Sequence, residues 1–83
     1  MRVALTADAE RQLDALPTVI RARVRKLLQR VARWPLVSGA RPLQGDLAGH
    51  YRLRTGAYRM QFRIIEDVVL VHKIGHRDGF YDG

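Results

Sequence analysis

The sequence predicts an α+β domain in which an α-helical hairpin packs on a mainly antiparallel four-stranded sheet. Up to Trp34 the apolar residues recur at helical spacing, and beyond a loop at 35–49 they alternate with polar residues, as they do in strands. Pro17 divides the helical part into two. The predicted order is β-α-α-β-β-β in one domain, residues 1–83, because a chain of this length is enough for one small domain.

The first half of the chain predicts one strand and two helices. Residues 2–6 form a short strand, and Thr6 caps a helix over 7–15 whose first turn carries two acids, as the helix dipole favours. A second helix runs from Thr18 to Trp34, and Pro35 ends it. Its core stripe consists of Ile20, Val24, Leu27, Leu28, Val31 and Trp34.

The second half predicts three strands joined by two tight turns. Residues 51–55 and 58–65 alternate around Gly56-Ala57, where glycine supplies the positive φ that a two-residue hairpin turn requires. Residues 68–74 are apolar on both faces, which is typical of a central strand, and the register of this strand on 58–65 stays open. A two-residue turn pairs Thr55 with Tyr58, so that Arg54 falls opposite Arg59.

One face of that hairpin is predicted to be strongly basic. Paired residues share a face, so the apolar and aromatic side chains meet the helices on one side of the sheet. The other side carries Arg52, Arg54, Arg59 and Arg63, with no acid among them. Arginines on a strand often do no more than keep an exposed face soluble and block edge pairing. Four on one face, two of them directly opposed, favour a bound phosphate.

The overall charge agrees with an anionic partner. Lys and Arg number 15 against 8 Asp and Glu, for a formal net charge of +7. This field predicts nucleic acid or an acidic protein as partner. Since the sequence has no cysteine, no signal peptide and no apolar run of about 18 residues, we expect a soluble cytoplasmic protein without membrane contact. Three scattered histidines without metal-ligand spacing predict no metal, and no cofactor motif is present.

The chain resembles the RelE/ParE superfamily of bacterial type II toxins. The resemblance rests on PLQGDLAGHYRLRTGAYRMQF and on KIGHRDGFY, and it extends over nearly the whole chain. It implies the fold of the RelE-like microbial RNases. Within the superfamily, the "YRLR", "GAYR" and "GHR…Y" segments are similar to the RelE branch, whose members cut mRNA, usually on the translating ribosome. ParE-like relatives share the fold but inhibit DNA gyrase by binding.

The resemblance implies a site and partners. The motif positions fall on Arg52 and Arg54, on Arg59, on Arg77 and on the closing Tyr81. A cognate RelB-like antitoxin would wrap the toxin and cover or distort the basic site, and operator DNA would be bound only through that antitoxin. The expected function is that of a metal-independent endoribonuclease that cleaves mRNA on the ribosome, and inhibition of gyrase is the alternative.

The expected mechanism is attack of the RNA 2′-OH on the adjacent phosphate, with arginines stabilising the phosphate. Well-studied RelE members carry lysines at the two "YRLR" positions, whereas this chain has arginines, which are poor general bases because they stay protonated. We therefore expect His76 or Tyr81 to handle protons. The predicted catalytic residues are Arg54, Arg59, Arg77, Tyr81 and His76, and the predicted nucleic-acid-binding residues are Arg52, Arg63 and Lys73.

Overall fold

A computed structural model describes residues 1–80, and within them the α+β prediction is confirmed. Two helices pack on one face of a sheet whose strand order is β1-β5-β4-β3-β2. Strand β1 pairs parallel with β5, and the other neighbours pair antiparallel. The strands are β1 (Arg2–Leu5), β2 (Arg41–Pro42), β3 (His50–Thr55), β4 (Tyr58–Ile65) and β5 (Val68–His76). The helices are α1 (Ala7–Asp14), α2 (Thr18–Val31), α3 (Arg77–Phe80) and a 3₁₀ turn at Gly45–Leu47.

The sheet of residues 1–80 has five strands where the sequence predicted four. The additional strand, β2, has two residues and pairs with β3 at its edge. A two-residue strand that contains a proline is too short to show a period of two, and Pro42 cannot donate to a ladder. The short helix α3 was also not predicted.

The helical hairpin forms as its sequence predicts, with one shorter helix. Thr6 caps α1 by accepting the Ala9 N–H at 3.1 Å. Helix α2 ends at Val31 and not at Trp34, because the N–H groups of Arg33 and Trp34 bond three residues back and tighten the chain before Pro35.

The core lies between the two helices and the inner face of the sheet. Its largest fully buried residues include Phe62, Met60 and Val24. The ring of Trp34 lies 4.6 Å from that of Tyr51 and 5.6 Å from that of Phe62, between ring centroids, so the end of the helical hairpin is tied to β3 and β4 by aromatic contacts. We call the side of the sheet opposite these helices the outer face.

Strand β5 contains an irregularity that changes which residues reach the core. Gln61 pairs with Lys73 and Phe62 pairs with Val71, so His72 is an extra residue without a partner on β4. Val69 and Val71 are buried before this bulge, and Ile74 is buried after it. The Ile74 N–H next to the bulge donates to Gln12 Oε1 at 2.8 Å, so helix α1 holds the backbone there.

Candidate nucleic-acid interface

The hairpin of β3 and β4 places four arginines on the outer face. Its register is the one the sequence predicts, with Thr55 opposite Tyr58, Leu53 opposite Met60 and Tyr51 opposite Phe62. Gly56 has a φ of 57°, as the two-residue turn requires. Because the alternate residues Leu53, Met60 and Phe62 are buried, the outer face carries Arg52, Arg54, Arg59 and Arg63.

Arg54 and Arg59 are direct cross-strand partners at the turn end of the hairpin. Arg54 is exposed, and Arg59 Nη1 donates to Gly56 O at 3.3 Å. The ion pairs among residues 1–80 involve neither of them. Like charges directly opposite on a sheet repel, so this pair has a position for an anion between two guanidinium groups that carry no compensating acid in that part of the chain.

Arg77 belongs to the same end of the sheet. Its backbone N–H donates to Ala57 O at 2.7 Å, which fixes the start of α3 against the hairpin turn. Its Nε lies 3.5 Å from an Asp78 carboxylate oxygen, and both side chains are exposed, so water screens that ion pair. We call Arg54, Arg59 and Arg77 the turn-end arginines.

A second basic row crosses the sheet beside the first. Arg41 pairs with Arg52, Arg52 with Gln61 and Gln61 with Lys73, so the four residues share the outer face. The sequence did not single out Arg41, since its strand was not predicted.

The chain from Lys73 to Phe80 folds back over the outer face. Lys73 Nζ donates to Phe80 O and lies 4.7 Å from the centre of the Phe80 ring. A Cβ placed on Gly75, the partner of Arg59, would lie 3.6 Å from Phe80 Cδ1. Lys73 therefore lies on the predicted face, but its ammonium group is held by α3.

The third row of the outer face contains two histidines. His50 pairs with Arg63, and its ring centre lies 4.8 Å from that of His72. His50 Nδ1 lies 3.2 Å from Leu47 O, which accepts a proton held on Nδ1. Burial lowers the pKa of His72 from its ordinary value of 6.5, and His50, Arg63 and Lys73 add to that shift. His72 Nε2 is buried and has no hydrogen-bond partner within residues 1–80.

His76 lies on the opposite face of the sheet from Arg54 and Arg59. It is the partner of Tyr58, whose ring centre lies 5.1 Å away, whereas the partner of Arg59 is Gly75. His76 Nδ1 accepts the Asp78 N–H at 3.1 Å and lies 3.4 Å from Asp78 Oδ2. While Nδ1 accepts, the neutral ring carries its proton on Nε2; Nε2 can accept a proton only in the other tautomer, whose Nδ1–H would donate to Asp78 Oδ2. Tyr81 lies outside the described residues.

The arginine part of the outer face is open to solvent, since Arg54 and Arg63 are exposed and Arg52 and Arg59 are half-buried. Two concavities among residues 1–80 lie on the helical side, one of about 400 Å³ against Leu13 and Leu28 and one of about 500 Å³ beside Lys26 and Arg30 of α2. An open basic face suits an extended polyanion better than a small enclosed ligand. No helix in this part of the chain is long and apolar enough to cross a lipid bilayer.

Comparison with known proteins places the chain in a family. The sequence model of the family described as ParE toxin of the type II toxin–antitoxin system parDE matches residues 3–79. Toxin RelG of Mycobacterium tuberculosis (strain ATCC 25618 / H37Rv) is 34% identical over 82 residues, which are 95% of this chain and 93% of that protein. The chain is a type II toxin of the RelE/ParE superfamily. The resemblance that the sequence motifs indicated is thereby confirmed.

Solved structures share the fold of this toxin. A chain of the toxin–antitoxin complex RelBE2 of M. tuberculosis superposes with a TM-score of 0.80 at 34% identity, over 92% of this chain and 96% of that one. The isolated E. coli RelE toxin gives a TM-score of 0.76 at 19% identity, over 90% and 82% of the two chains. A chain of the RelB–RelE complex of Methanococcus jannaschii gives 0.75 at 22% identity, over 94% of each. The last two likenesses concern the fold.

Proposed function

We propose that this toxin is a metal-independent endoribonuclease that cleaves mRNA on the translating ribosome. The observation that carries the proposal is the cross-strand pair of Arg54 and Arg59, two opposed cations without an ion-pair partner in residues 1–80. Bringing two like charges opposite each other lowers the stability of the folded toxin, so the presence of this pair is best explained by a ligand that needs both charges. A phosphodiester shares one negative charge between two nonbridging oxygens, and each of these can accept from a forked guanidinium donor.

The turn-end arginines would stabilise the charge that develops during cleavage. The 2′-oxygen attacks the neighbouring phosphorus, the bond from phosphorus to the 5′-oxygen breaks, and the products are a 2′,3′-cyclic phosphate and a 5′-hydroxyl. One proton leaves the 2′-OH and one reaches the departing 5′-oxygen, so the reaction needs no metal or redox partner. Preorganised cations on the equatorial phosphate oxygens stabilise the pentacoordinate transition state more than the ground state.

Proton transfer is assigned to His76 or Tyr81. The backbone bond from Arg77 to Ala57 holds the neighbouring residue, His76, at the end of the sheet where Arg59 lies, although on the Tyr58 side. His76 Nε2 would exchange the proton in the tautomer whose Nδ1–H donates to the Asp78 carboxylate. His50 is a second histidine, and it lies on the arginine face itself. Its contact with Leu47 O holds one proton on Nδ1 and leaves Nε2 as a base.

The partner we propose is a cognate RelB-like antitoxin. The RelBE2 structure and the M. jannaschii structure are both toxin–antitoxin complexes with chains of this fold. An antitoxin that covers the outer face would neutralise the arginines and exclude RNA. Operator DNA would then be contacted through the antitoxin, and the toxin itself would act in the cytoplasm.

Inhibition of DNA gyrase by binding is the second candidate function. The observation in its favour is that the matching family model is that of the ParE toxin. A pure binder has no need for two uncompensated arginines directly opposed at a strand end beside Arg77, which is why we rank cleavage first. The two functions differ in their first product, a cut mRNA or damaged DNA.

The test is transcriptome-wide mapping of 5′-hydroxyl RNA ends within minutes of inducing the toxin without antitoxin. Arg59→Ala is the active-site variant, and Arg23→Ala, on the exposed side of α2, is the matched control that removes one arginine elsewhere. We expect new ends inside translated codons with the parent toxin and Arg23→Ala, and none with Arg59→Ala. Growth arrest with intact mRNA and a DNA-damage response would refute cleavage and support gyrase.

A further inference from the structure

Arg41 and Arg52 repeat the arrangement of Arg54 and Arg59. Arg41 and Arg52 are direct antiparallel partners, as Arg54 and Arg59 are, and both pairs lie on the outer face. Arg41 is exposed, and the ion pairs among residues 1–80 do not include it. The face therefore carries two opposed arginine pairs one after the other.

The two pairs are separated by a distance that suits RNA. Arg52 and Arg54 are two residues apart on β3, which corresponds to about 7 Å along a strand, and because Arg41 lies on β2 and Arg59 on β4, the midpoints of the two pairs are about 8 Å apart. Successive phosphates of an extended RNA strand are joined by six backbone bonds and lie at a comparable distance. An RNA strand whose phosphate lies between Arg54 and Arg59 would therefore bring the neighbouring phosphate over Arg41 and Arg52 if it crosses β3 obliquely, from the β4 side to the β2 side.

We propose that Arg41 and Arg52 form a second phosphate subsite, which binds the phosphodiester next to the one held by Arg54 and Arg59. This inference rests on the proposed function, since it takes the turn-end pair as the first phosphate site. Arg41 contributes from the edge strand, where its side chain is accessible to a ligand from the side as well as from above. The subsite selects substrates of at least two consecutive phosphates and aligns the RNA across β3.

An edge arginine has another ordinary use, which makes different predictions. Charged side chains on edge strands prevent pairing with other chains. An arginine with that role would affect aggregation and leave the affinity for RNA unchanged. A phosphate contact, in contrast, releases counterions, so it steepens the dependence of affinity on salt by about 0.7 for a single strand.

The experiment compares two small ligands on the full chain. One is a uridine dinucleoside monophosphate and the other a trinucleoside diphosphate, both 2′-O-methylated so that they cannot be cleaved. Their dissociation constants are measured by NMR titration for the parent toxin, Arg41→Gln, Arg59→Gln and the control Arg23→Gln. Urea unfolding of each variant confirms that it is folded.

We expect the parent toxin and Arg23→Gln to bind the longer ligand about three- to tenfold more tightly than the shorter one, beyond the statistical gain from a second phosphate. Arg41→Gln should abolish that preference and leave the shorter ligand unaffected. Arg59→Gln should weaken both. If Arg41→Gln weakens both ligands equally, or neither, the second subsite is refuted while the first stands. If Arg59→Gln binds both like the parent, or the parent binds neither, the proposed phosphate clamp fails as well.

Discussion

Replacing Arg54 with Gln should stabilise the free toxin, because it removes the repulsion between two like charges. Arg54 is exposed and opposite Arg59. Two guanidinium groups that turn apart to a separation of about 8 Å repel by about 0.5 kcal/mol in a medium as polar as water. At 0.15 M salt the Debye length is also about 8 Å, which reduces this to about 0.2 kcal/mol. For a domain of this size, 0.5 kcal/mol corresponds to a rise in Tm of about 2–4 °C.

A double-mutant cycle isolates the repulsion from changes in strand propensity. Urea unfolding is measured for the parent, Arg54→Gln, Arg59→Gln and the double variant at low salt and at 1 M NaCl. The two single substitutions should stabilise less in combination than their sum, by about 0.5 kcal/mol at low salt, and the deficit should vanish at 1 M. Replacing chloride with phosphate at constant ionic strength should stabilise the parent and not the double variant.

The cycle can also contradict the reasoning. If Arg54→Gln destabilises the toxin equally at both salt concentrations, the arginine contributes through the packing of its aliphatic stem. The pair would then be part of the folded framework, and the argument for an anion between the two side chains would lose its physical basis.

Three further predictions concern single residues. His76→Gln should remove one limb of the pH–rate profile for RNA cleavage and His50→Gln should not; the reverse result would assign proton transfer to the outer face. Because the pKa of His72 is lowered in the folded toxin, the unfolded chain takes up a proton at a higher pH than the folded chain does. The free energy of unfolding should therefore fall as the pH drops below about 7 and level off below the pKa of the folded state. His72→Gln should flatten this pH dependence in urea melts, and an unchanged slope would refute the prediction. Phe80 is 1% exposed, so Phe80→Ala should cost about 3 kcal/mol and Phe80→Leu about 1 kcal/mol in urea unfolding, and a loss below about 1 kcal/mol for alanine would mean that α3 is loosely docked.

The hairpin could be predicted in full from the sequence because its constraints are local. Gly56 fixes a two-residue turn, and the alternation of apolar residues on both sides permits one register. The helical hairpin was predictable for a similar reason, since Pro17 and the apolar stripe of α2 define where it bends and which side it buries.

Other features depend on contacts between distant segments, which leave no local pattern. Strand β2 exists because Arg41 and Pro42 meet an edge already formed by β3, and two residues show no period. The position of His76 opposite Tyr58 depends on the register between β4 and β5, which the sequence left open. The arginines of the candidate site could be named from their pattern, whereas Arg41 could not.

The bulge at His72 explains why the sequence of β5 did not reveal its faces. Strict alternation from Val69 and Val71 would continue with Lys73 in the core, an unpaired charge whose burial is costly. One inserted residue reverses the alternation, so that Ile74 fills the core and Lys73 joins the outer face.

The reversed alternation also explains how β5 contributes to the core of the sheet and to its outer face. Before the bulge, β5 is apolar enough to lie between β1 and β4. After it, Gly75 stands opposite Arg59, and Phe80 docks over this position, where a Cβ would lie in ordinary contact with its ring at 3.6 Å. Because the chain then enters α3 with the Arg77 N–H bonded to Ala57 O, the bulge determines where the third turn-end arginine starts. The basic face therefore depends on a backbone irregularity as much as on the arginines that it displays.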